Sequence, residues 1–233
     1  MNRKLTNSIR FVMDELIPPF IRDSKIFMYP FFYLAYRGRN IREMMDFKSK
    51  VYHYTPEQYS HLYNNLNSIS RNRVTDLNQA SIDLIISELQ DDNFETIVDI
   101  GCGSGYLLNL IGEKFPQLNR TGFDIKNASG EEKFNFVQGN LESLPFEDKS
   151  FDVVICGHTI EHLLKLDDCI AELVRITKKK LIIVTPCQRY FYYTLDEHVN
   201  FFPLKEQLIH LFPFQSNNCR LIDGDWVYIG YNS

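Results

Sequence analysis

The stretch VDIGCGSGYLL, residues 98–108, combines a short apolar run, one acid and three glycines at alternate positions. The apolar run predicts a buried strand, and the residues after the last glycine predict the start of a helix. Glycine lets a backbone turn sharply and approach a ligand with no Cβ in between. The stretch therefore predicts a strand–loop–helix unit whose loop lies close to a bound molecule.

The same alternation of strands and helices continues on both sides of this stretch, which is typical of a parallel sheet covered by helices. The last two predicted strands flank Asp223-Gly224, a dipeptide that favours a tight hairpin. We therefore predict an α/β fold with a doubly wound, mainly parallel seven-stranded sheet, helices on both faces, and an antiparallel last strand. Predicted strands cover 96–100, 120–125, 134–140, 151–157 and 180–186 before the hairpin, and predicted helices cover about 76–89, 106–115, 159–177 and 204–212.

Composition limits the kinds of protein that the chain can be. It has 233 residues and a formal net charge of −5, so the molecule as a whole does not attract nucleic acid. Five scattered cysteines without a CxxC pair favour free thiols in a reducing cytoplasm. Acids and prolines interrupt the apolar residues after the basic start, and no apolar run is long enough to span a membrane. We therefore expect a cytoplasmic protein without a signal peptide.

The charge is distributed unevenly along the chain. Residues 1–50 contain ten Lys or Arg and five Asp or Glu, and residues 26–40 are rich in aromatic side chains. One interpretation is a helical cap, residues 1–75, whose aromatics pack on a main domain of residues 76–233. The other is a surface within 26–40 that contacts a membrane, at the inner face, or a lipid-linked substrate.

The spacing of the glycines narrows the choice of ligand. Gly101, Gly103 and Gly105 form a GxGxG pattern, and Tyr106 stands where a dinucleotide-binding GxGxxG loop needs its third glycine. Asp99 precedes the loop by two residues, and an acid there disfavours a pyrophosphate. These residues favour a ligand that carries positive charge or hydroxyl groups.

With these features the chain resembles the class I S-adenosylmethionine-dependent methyltransferases over roughly residues 76–233. The resemblance rests on five pieces in the family's order: VDIGCGSG, GFDI, GNLESLPF, FDVVICGHTIEHL and KLIIVTP. It implies S-adenosyl-L-methionine as cofactor and S-adenosyl-L-homocysteine as product.

The resemblance also implies roles for single residues. The glycine loop would pass under the methionine part of the cofactor, and Asp99 would order its ammonium group. Asp124 would accept both ribose hydroxyls, and Asn140, where the family usually has Asp, would hold the adenine together with Leu141. The predicted cofactor-binding residues are Asp99, Gly101, Cys102, Gly103, Gly105, Asp124, Ile125, Asn140, Leu141, Gly157 and His158. Arg71 or Arg73 is a further candidate, for the methionine carboxylate.

Three histidines are candidates for catalysis, because methyl transfer to oxygen or nitrogen needs a base. His158 and His162 flank Glu161 with a spacing that would share one helix face, and His198 follows later. Three interpretations of the set are open: a structural cluster, the source of the general base, or a divalent-ion site like that of some metal-dependent RNA 2′-O-methyltransferases. We predict His158, His162 and His198 as catalytic residues and assign no metal ligand.

The sequence does not determine which molecule accepts the methyl group. Residues 189–202 are rich in Tyr and Phe, and Arg189 would hold a phosphate or carboxylate over the acceptor pocket that the family places there. We expect a small-molecule acceptor, such as a sugar hydroxyl or a lipid-linked phenol. One alternative is a non-catalytic methyltransferase-like scaffold or partner subunit, and a lesser one is a metal-dependent RNA 2′-O-methyltransferase. A nicotinamide-dependent oxidoreductase is disfavoured by Tyr106.

Overall fold

The computed structural model describes residues 11–55, 58, 59, 62, 74–90, 93–126 and 133–232. The chain divides into two compact units, one formed by Met1–Arg73 with Arg189–Phe201 and one by Val74–Gln188 with Phe202–Ser233. Arg71 and Arg73, the candidates for the methionine carboxylate, lie outside the described residues.

The first unit is built from short helices and the segment 189–201. After a π-helical turn at Val12–Leu16 come α1 (Pro19–Arg22), α2 (Lys25–Ala35), α3 (Ile41–Met45) and α4 (Phe47–Lys50), followed by a 3-10 turn at Val51–His53. None of the helices in the described ranges is both long and apolar enough to cross a membrane.

Two buried cations connect these helices to the segment 189–201 inside the first unit. Arg22 donates to the backbone carbonyl of Tyr193, and its guanidinium carbon lies 4.8 Å from the centre of the Phe191 ring. Lys48 donates to the carbonyl of Phe191, and its Nζ lies 4.2 Å from the centre of the Phe201 ring. Burial lowers the pKa of Lys48 to about 8. The aromatic residues of 189–201 thus pack on basic side chains of the N-terminal helices.

The second unit contains one seven-stranded sheet. Its strands are β1 (Thr96–Ile100), β2 (Asn119–Asp124), β3 (Asn135–Gln138), β4 (Phe151–Gly157), β5 (Thr177–Pro186), β6 (Ser216–Ile222) and β7 (Asp225–Tyr231). Their order is β3-β2-β1-β4-β5-β7-β6, and β7 runs in the direction opposite to the other six strands. The predicted fold class is confirmed.

Residue type explains why the strands lie where they do. The central strands β4 and β5 each contain four consecutive buried apolar residues, 153–156 and 181–184, because both faces of the sheet are covered there. In the turn between β6 and β7, Asp223 and Gly224 have φ of 46° and 88°, the conformation that an Asp-Gly hairpin predicts.

Helices cover both faces of this sheet. They are α5 (Gln79–Ser87), α6 (Tyr106–Lys114), α7 (Leu166–Ile176) and α8 (Lys205–Ile209). Apolar side chains form two separate core clusters, one with α5 and α6 residues and one with α7 and α8 residues. Asn78 caps the start of α5, because its side chain accepts a hydrogen bond from the Ser81 N–H at 2.7 Å.

The predicted helix over 159–177 is wrong in its first part. Ile160–His162 form a single 3-10 turn, and α7 starts only at Leu166. Asp167 and Asp168 lie in the first turn of α7, where acids stabilise a helix N-terminus. His158 has a left-handed φ of 50°, so it does not share a helix face with Glu161 and His162.

Candidate functional site

The glycine loop runs from the end of β1 to the start of α6. Gly101, Gly103 and Gly105 have φ of 79°, 53° and 71°, all in the left-handed region that favours glycine. The N–H groups of Gly101 and Cys102 both donate to the carbonyl of Phe123 in β2, at 2.7 and 3.1 Å. The loop is therefore held against the neighbouring strand.

Space around the glycines differs from one to the next. A Cβ on Gly101 would lie 2.1 Å from Thr159 Oγ1, and one on Gly105 would lie 2.2 Å from the Phe134 ring. A Cβ on Gly103 would meet nothing within 4 Å. The open space next to Gly103 fits a ligand that lies on the loop backbone.

Two carboxylates are candidates for contact with a ligand at this loop. Asp124, at the end of β2, accepts from the Gly103 N–H at 2.8 Å and from the Lys126 N–H at 2.9 Å. Asp99 in β1 is buried, and its burial, together with the nearby Asp124, raises the pKa of Asp99 to about 7. A buried carboxyl of this kind suits a cationic partner, since a positive charge beside it would favour its ionised form.

The other predicted cofactor residues surround the ends of β2, β3 and β4. Ile125 is partly exposed after β2, and Leu141 is buried after β3. Asn140 is exposed, and its side-chain oxygen accepts from the Glu142 N–H at 3.2 Å. Gly157 ends β4, where an added Cβ would lie 3.1 Å from the Leu77 side chain.

His158 is partly buried and contacts two buried acids. Its Nδ1 is 3.2 Å from Glu161 Oε1, and its Nε2 is 3.3 Å from Asp225 Oδ2. Burial alone would lower the pKa of His158, but the contacts with Asp225 and Glu161 outweigh it and raise the pKa to about 10. Asn78 Nδ2 donates to the same Asp225 oxygen at 3.0 Å, and Thr185 Oγ1 donates to Glu161 Oε2 at 3.2 Å.

The remaining predicted residues fall in different units. His162 lies in the same 3-10 turn as Glu161, in the sheet unit, and its N–H donates to the Thr159 carbonyl at 3.0 Å. His198 belongs to the first unit, where its Nδ1 lies 3.4 Å from Asp196 Oδ2. Arg189, predicted to hold an acceptor anion, is in the first unit and pairs with Glu15 at 3.1 Å.

Sequence reasoning missed three members of the His158 cluster. Asp225 and Thr185 are brought to His158 by the register of β7 and β5, which a local pattern does not reveal. Asn78 carries a local signal as the helix cap of α5, but nothing in the sequence shows that its amide also reaches Asp225. Thr159 was also missed, because its position next to Gly101 depends on the tertiary structure and not on a local pattern.

Comparisons with known proteins agree with this geometry. Residues 98–185 match the family model described as a methyltransferase domain. A malonyl-[acyl-carrier protein] O-methyltransferase of Halalkalibacterium halodurans is 28% identical over 128 residues, which are 49% of this chain and 46% of that protein. An uncharacterized protein of Methanocaldococcus jannaschii is 23% identical over 192 residues, 81% of this chain and 80% of that one.

A solved structure also shares the fold. It is a SAM-dependent methyltransferase from Methanosarcina mazei, with a TM-score of 0.50 at 21% identity, covering 68% of this chain and 99% of its own. This chain spans less than half the length of several of the curated relatives that it matches.

The fold, the glycine loop and the matching domain define a class of enzyme, the class I S-adenosylmethionine-dependent methyltransferases. Residues 98–185 match the family model of a methyltransferase domain, which supports an S-adenosylmethionine-dependent methyltransferase.

Proposed function

We propose that the chain transfers a methyl group from S-adenosyl-L-methionine to a hydroxyl group of a small-molecule, sugar or lipid-linked acceptor. The proposal that S-adenosyl-L-methionine is the methyl donor rests on the glycine loop, whose Gly103 N–H donates to Asp124. This loop follows β1, which lies between β2 and β4, where the strand order of the sheet reverses. Ligands of open α/β sheets bind at such switch points.

The residues present fit the cofactor. Open space next to Gly103 admits the methionine part along the loop backbone, and buried Asp99 suits its ammonium group. Asp124 keeps lone pairs for the ribose hydroxyls beyond those that its two backbone donors use. Asn140 and Leu141 would hold the adenine, with the Asn140 oxygen as acceptor for the adenine amino group.

The chemistry of the transfer leaves few tasks to the protein. S-adenosyl-L-methionine supplies a methyl group already activated on a sulfonium. The chain has to position the acceptor in line and remove its hydroxyl proton. We propose His162 or His198 for the proton, because both ring nitrogens of His158 face carboxylates. The name of the Halalkalibacterium halodurans relative, an O-methyltransferase, supports an oxygen acceptor.

The acceptor chemistry can be tested by incubating the protein with labelled S-adenosyl-L-methionine and panels of hydroxylated sugars and phenols. We expect label on an oxygen atom of one acceptor class. His162→Gln and His198→Gln should identify the base, because only its replacement would remove the acidic limb of the pH–rate profile. Binding of S-adenosyl-L-homocysteine without turnover on any acceptor would favour the alternative of a non-catalytic partner subunit.

We also propose that α2 of the first unit contacts an anionic membrane surface. Several large, mainly apolar side chains of this helix face solvent. Ile26 is 88% exposed, Leu34 is 73% exposed, and Tyr29 and Tyr33 are each about half exposed. Their spacing places them on one stripe of Lys25–Ala35, opposite the buried Met28 and Phe32.

The charged residues next to this stripe indicate which kind of surface it contacts. Arg37 and Arg39 are exposed directly after α2, and neither makes an ion pair with an acidic side chain of the described residues. An apolar stripe followed by arginines complements anionic lipid headgroups. A peripheral contact of this kind would bring the enzyme to a lipid-linked acceptor.

The membrane contact can be tested by flotation with vesicles of phosphatidylglycerol and phosphatidylcholine. The wild type should float, and a variant with Ile26→Glu and Leu34→Glu should remain at the bottom of the gradient. Leu221→Glu, at a 54% exposed position on β6, is the matched control and should float like the wild type. Equal flotation of all three proteins, or none for the wild type, would overturn the proposal.

A further inference from the structure

The two ring nitrogens of His158 are both directed at carboxylate oxygens. Nε2 is hydrogen-bonded to Asp225 at 3.3 Å, and Nδ1 makes an ion-pair contact with Glu161 at 3.2 Å. An ionised carboxylate can only accept, so each nitrogen that faces one is favoured to carry a proton. A ring with both nitrogens protonated is an imidazolium, which has no lone pair left to act as a base.

Each carboxylate is itself held by another element of the sheet unit. The Asp225 oxygen that faces His158 also accepts from Asn78, the cap of α5. The second oxygen of Glu161 accepts from Thr185 in β5. Asp225 begins β7, so the His158 ring connects the turn after β4 with α5, β5 and β7.

The backbone at His158 needs such support. Its φ of 50° is left-handed, a conformation that is unfavourable for a residue with a Cβ. The His158 N–H donates to the Val184 carbonyl at 2.8 Å, which fixes one side of the turn. The ring contacts fix the other side.

This turn places Thr159 against the glycine loop. Thr159 Oγ1 lies 3.1 Å from the Gly157 carbonyl and 3.4 Å from the Ile100 carbonyl, which directly precedes Gly101. The same oxygen occupies the position that a Cβ on Gly101 would need. The conformation of the His158 turn therefore decides where Thr159 meets the loop.

We propose that His158 is a positioning residue, a partly buried imidazolium that bridges the buried carboxylates of Glu161 and Asp225 and so holds Thr159 and the glycine loop in their binding geometry. Its effect on cofactor affinity rests on the proposed function. The protonated state of His158 is independent of the proposed function, because it can be observed without any cofactor.

The charged groups that face the ring explain how it depends on pH. They are Glu161 from the 3-10 turn and Asp225 from β7, while Asn78 of the α5 cap and Thr185 of β5 contribute neutral donors. Because the pKa of His158 is raised in the folded state, from 6.5 to about 10, the stability it adds is full below the unfolded pKa. That stability is lost progressively as the pH rises to about 10.

The first test is nitrogen-15 NMR of the histidine rings in the cofactor-free protein. We expect both nitrogens of His158 to stay protonated from about pH 6 to about pH 8.5, whereas an ordinary histidine loses one proton in this range. Assignment comes from comparison with His158→Asn, a residue type that tolerates the left-handed backbone. A His158 ring with one unprotonated nitrogen near pH 7.5 would overturn the proposal.

The second test uses Asp225→Asn, which keeps a side-chain oxygen as acceptor and removes one negative charge. His158 of this variant should titrate near neutral pH. The affinity for S-adenosyl-L-homocysteine, relative to the wild type, should fall about tenfold near pH 8.5 and stay close to the wild type near pH 6.

A purely structural role for Asp225 would instead lower the affinity by the same factor at both pH values, which would contradict the proposal. Asp223→Asn, in the exposed turn before β7, is the matched control and should behave as the wild type at both. If the wild type does not bind S-adenosyl-L-homocysteine at all, the proposed function fails, and the NMR result alone decides the state of His158.

Discussion

Cofactor binding should depend on the ionisation of Asp99. The pKa of this buried carboxyl is raised to about 7, by burial first and by the charge of Asp124 second. Only the ionised form can pair with the cofactor's ammonium group. With a pKa near 7, roughly one-tenth of Asp99 is ionised at about pH 6 and roughly nine-tenths at about pH 8. The affinity for S-adenosyl-L-homocysteine should therefore rise about tenfold over this range.

The stability of the cofactor-free protein should change with pH in the opposite direction, falling as the cofactor affinity rises. The pKa of Asp99 is higher in the folded chain, about 7, than its ordinary value of 3.8, so the folded state holds an extra proton between these values. The contribution of Asp99 to stability is greatest below the ordinary pKa and is lost as the pH rises to about 7. Cofactor binding would offset this loss by supplying a cation.

Calorimetric titration near pH 6, 7 and 8 measures the effect, and buffers of different ionisation enthalpy reveal the proton that binding releases. Asp99→Asn should remove both the pH dependence and the proton release, with an affinity about equal to that of the wild type near pH 6. Asp223→Asn, an exposed acid replaced in the same way, should keep the wild-type slope. A wild-type affinity that does not change between pH 6 and 8 would refute the role of Asp99.

Further variants probe the loop and its supports. Gly103→Ala should cost only about 1–2 kcal/mol in urea unfolding, from the left-handed φ, yet weaken S-adenosyl-L-homocysteine binding more than about tenfold because its Cβ enters open space beside the loop. Gly101→Ala should lose roughly 2 kcal/mol or more in the same unfolding assay, because its Cβ would lie 2.1 Å from Thr159 Oγ1. Asp124→Asn should reduce the calorimetric affinity roughly 10- to 100-fold, since one oxygen becomes a donor that faces a backbone N–H. Arg175→Ala should lower the free energy of unfolding, measured in urea, by roughly 1–3 kcal/mol. The reason is that Arg175 donates hydrogen bonds to two carbonyls of the loop between β3 and β4, at 2.7 and 3.1 Å. An unfolding curve like that of the wild type for Gly101→Ala or Arg175→Ala, or an unchanged affinity for Gly103→Ala or Asp124→Asn, would contradict the corresponding contact.

The parts of the fold that the sequence predicts well are those with a strong local signal. The apolar run of β4, Phe151–Gly157, agrees with its prediction at both ends. The glycine loop is equally local, because left-handed φ values at alternate residues can be read from Gly101, Gly103 and Gly105 alone. The turn at Asp223-Gly224 follows from turn chemistry in the same way.

The region after β4 shows why other parts of the fold and of the site could not be predicted from the sequence. Local periodicity at 159–177 favours one helix, but the tertiary contacts of His158 with Asp225 and of Glu161 with Thr185 hold a different backbone. Those partners are more than 20 residues away along the chain. The interpretation of His158 as a base depended on its neighbours in sequence, whereas its protonation depends on its neighbours in space.

The segment 189–201 gives a second example. Its aromatic residues predict stacking on a ligand, yet Phe191 and Phe201 lie next to the buried cations Arg22 and Lys48 of the same unit. Composition showed that aromatic and basic residues are both abundant, but it could not show that they contact each other.

The central claim is tested most directly by calorimetric titration of the metal-stripped protein with S-adenosyl-L-homocysteine, with NAD as the control ligand. A methyltransferase with this loop should bind S-adenosyl-L-homocysteine one-to-one and should not bind NAD, because Tyr106 begins α6 where a dinucleotide site needs glycine. Binding of NAD, or no binding of S-adenosyl-L-homocysteine near pH 8, would contradict the account.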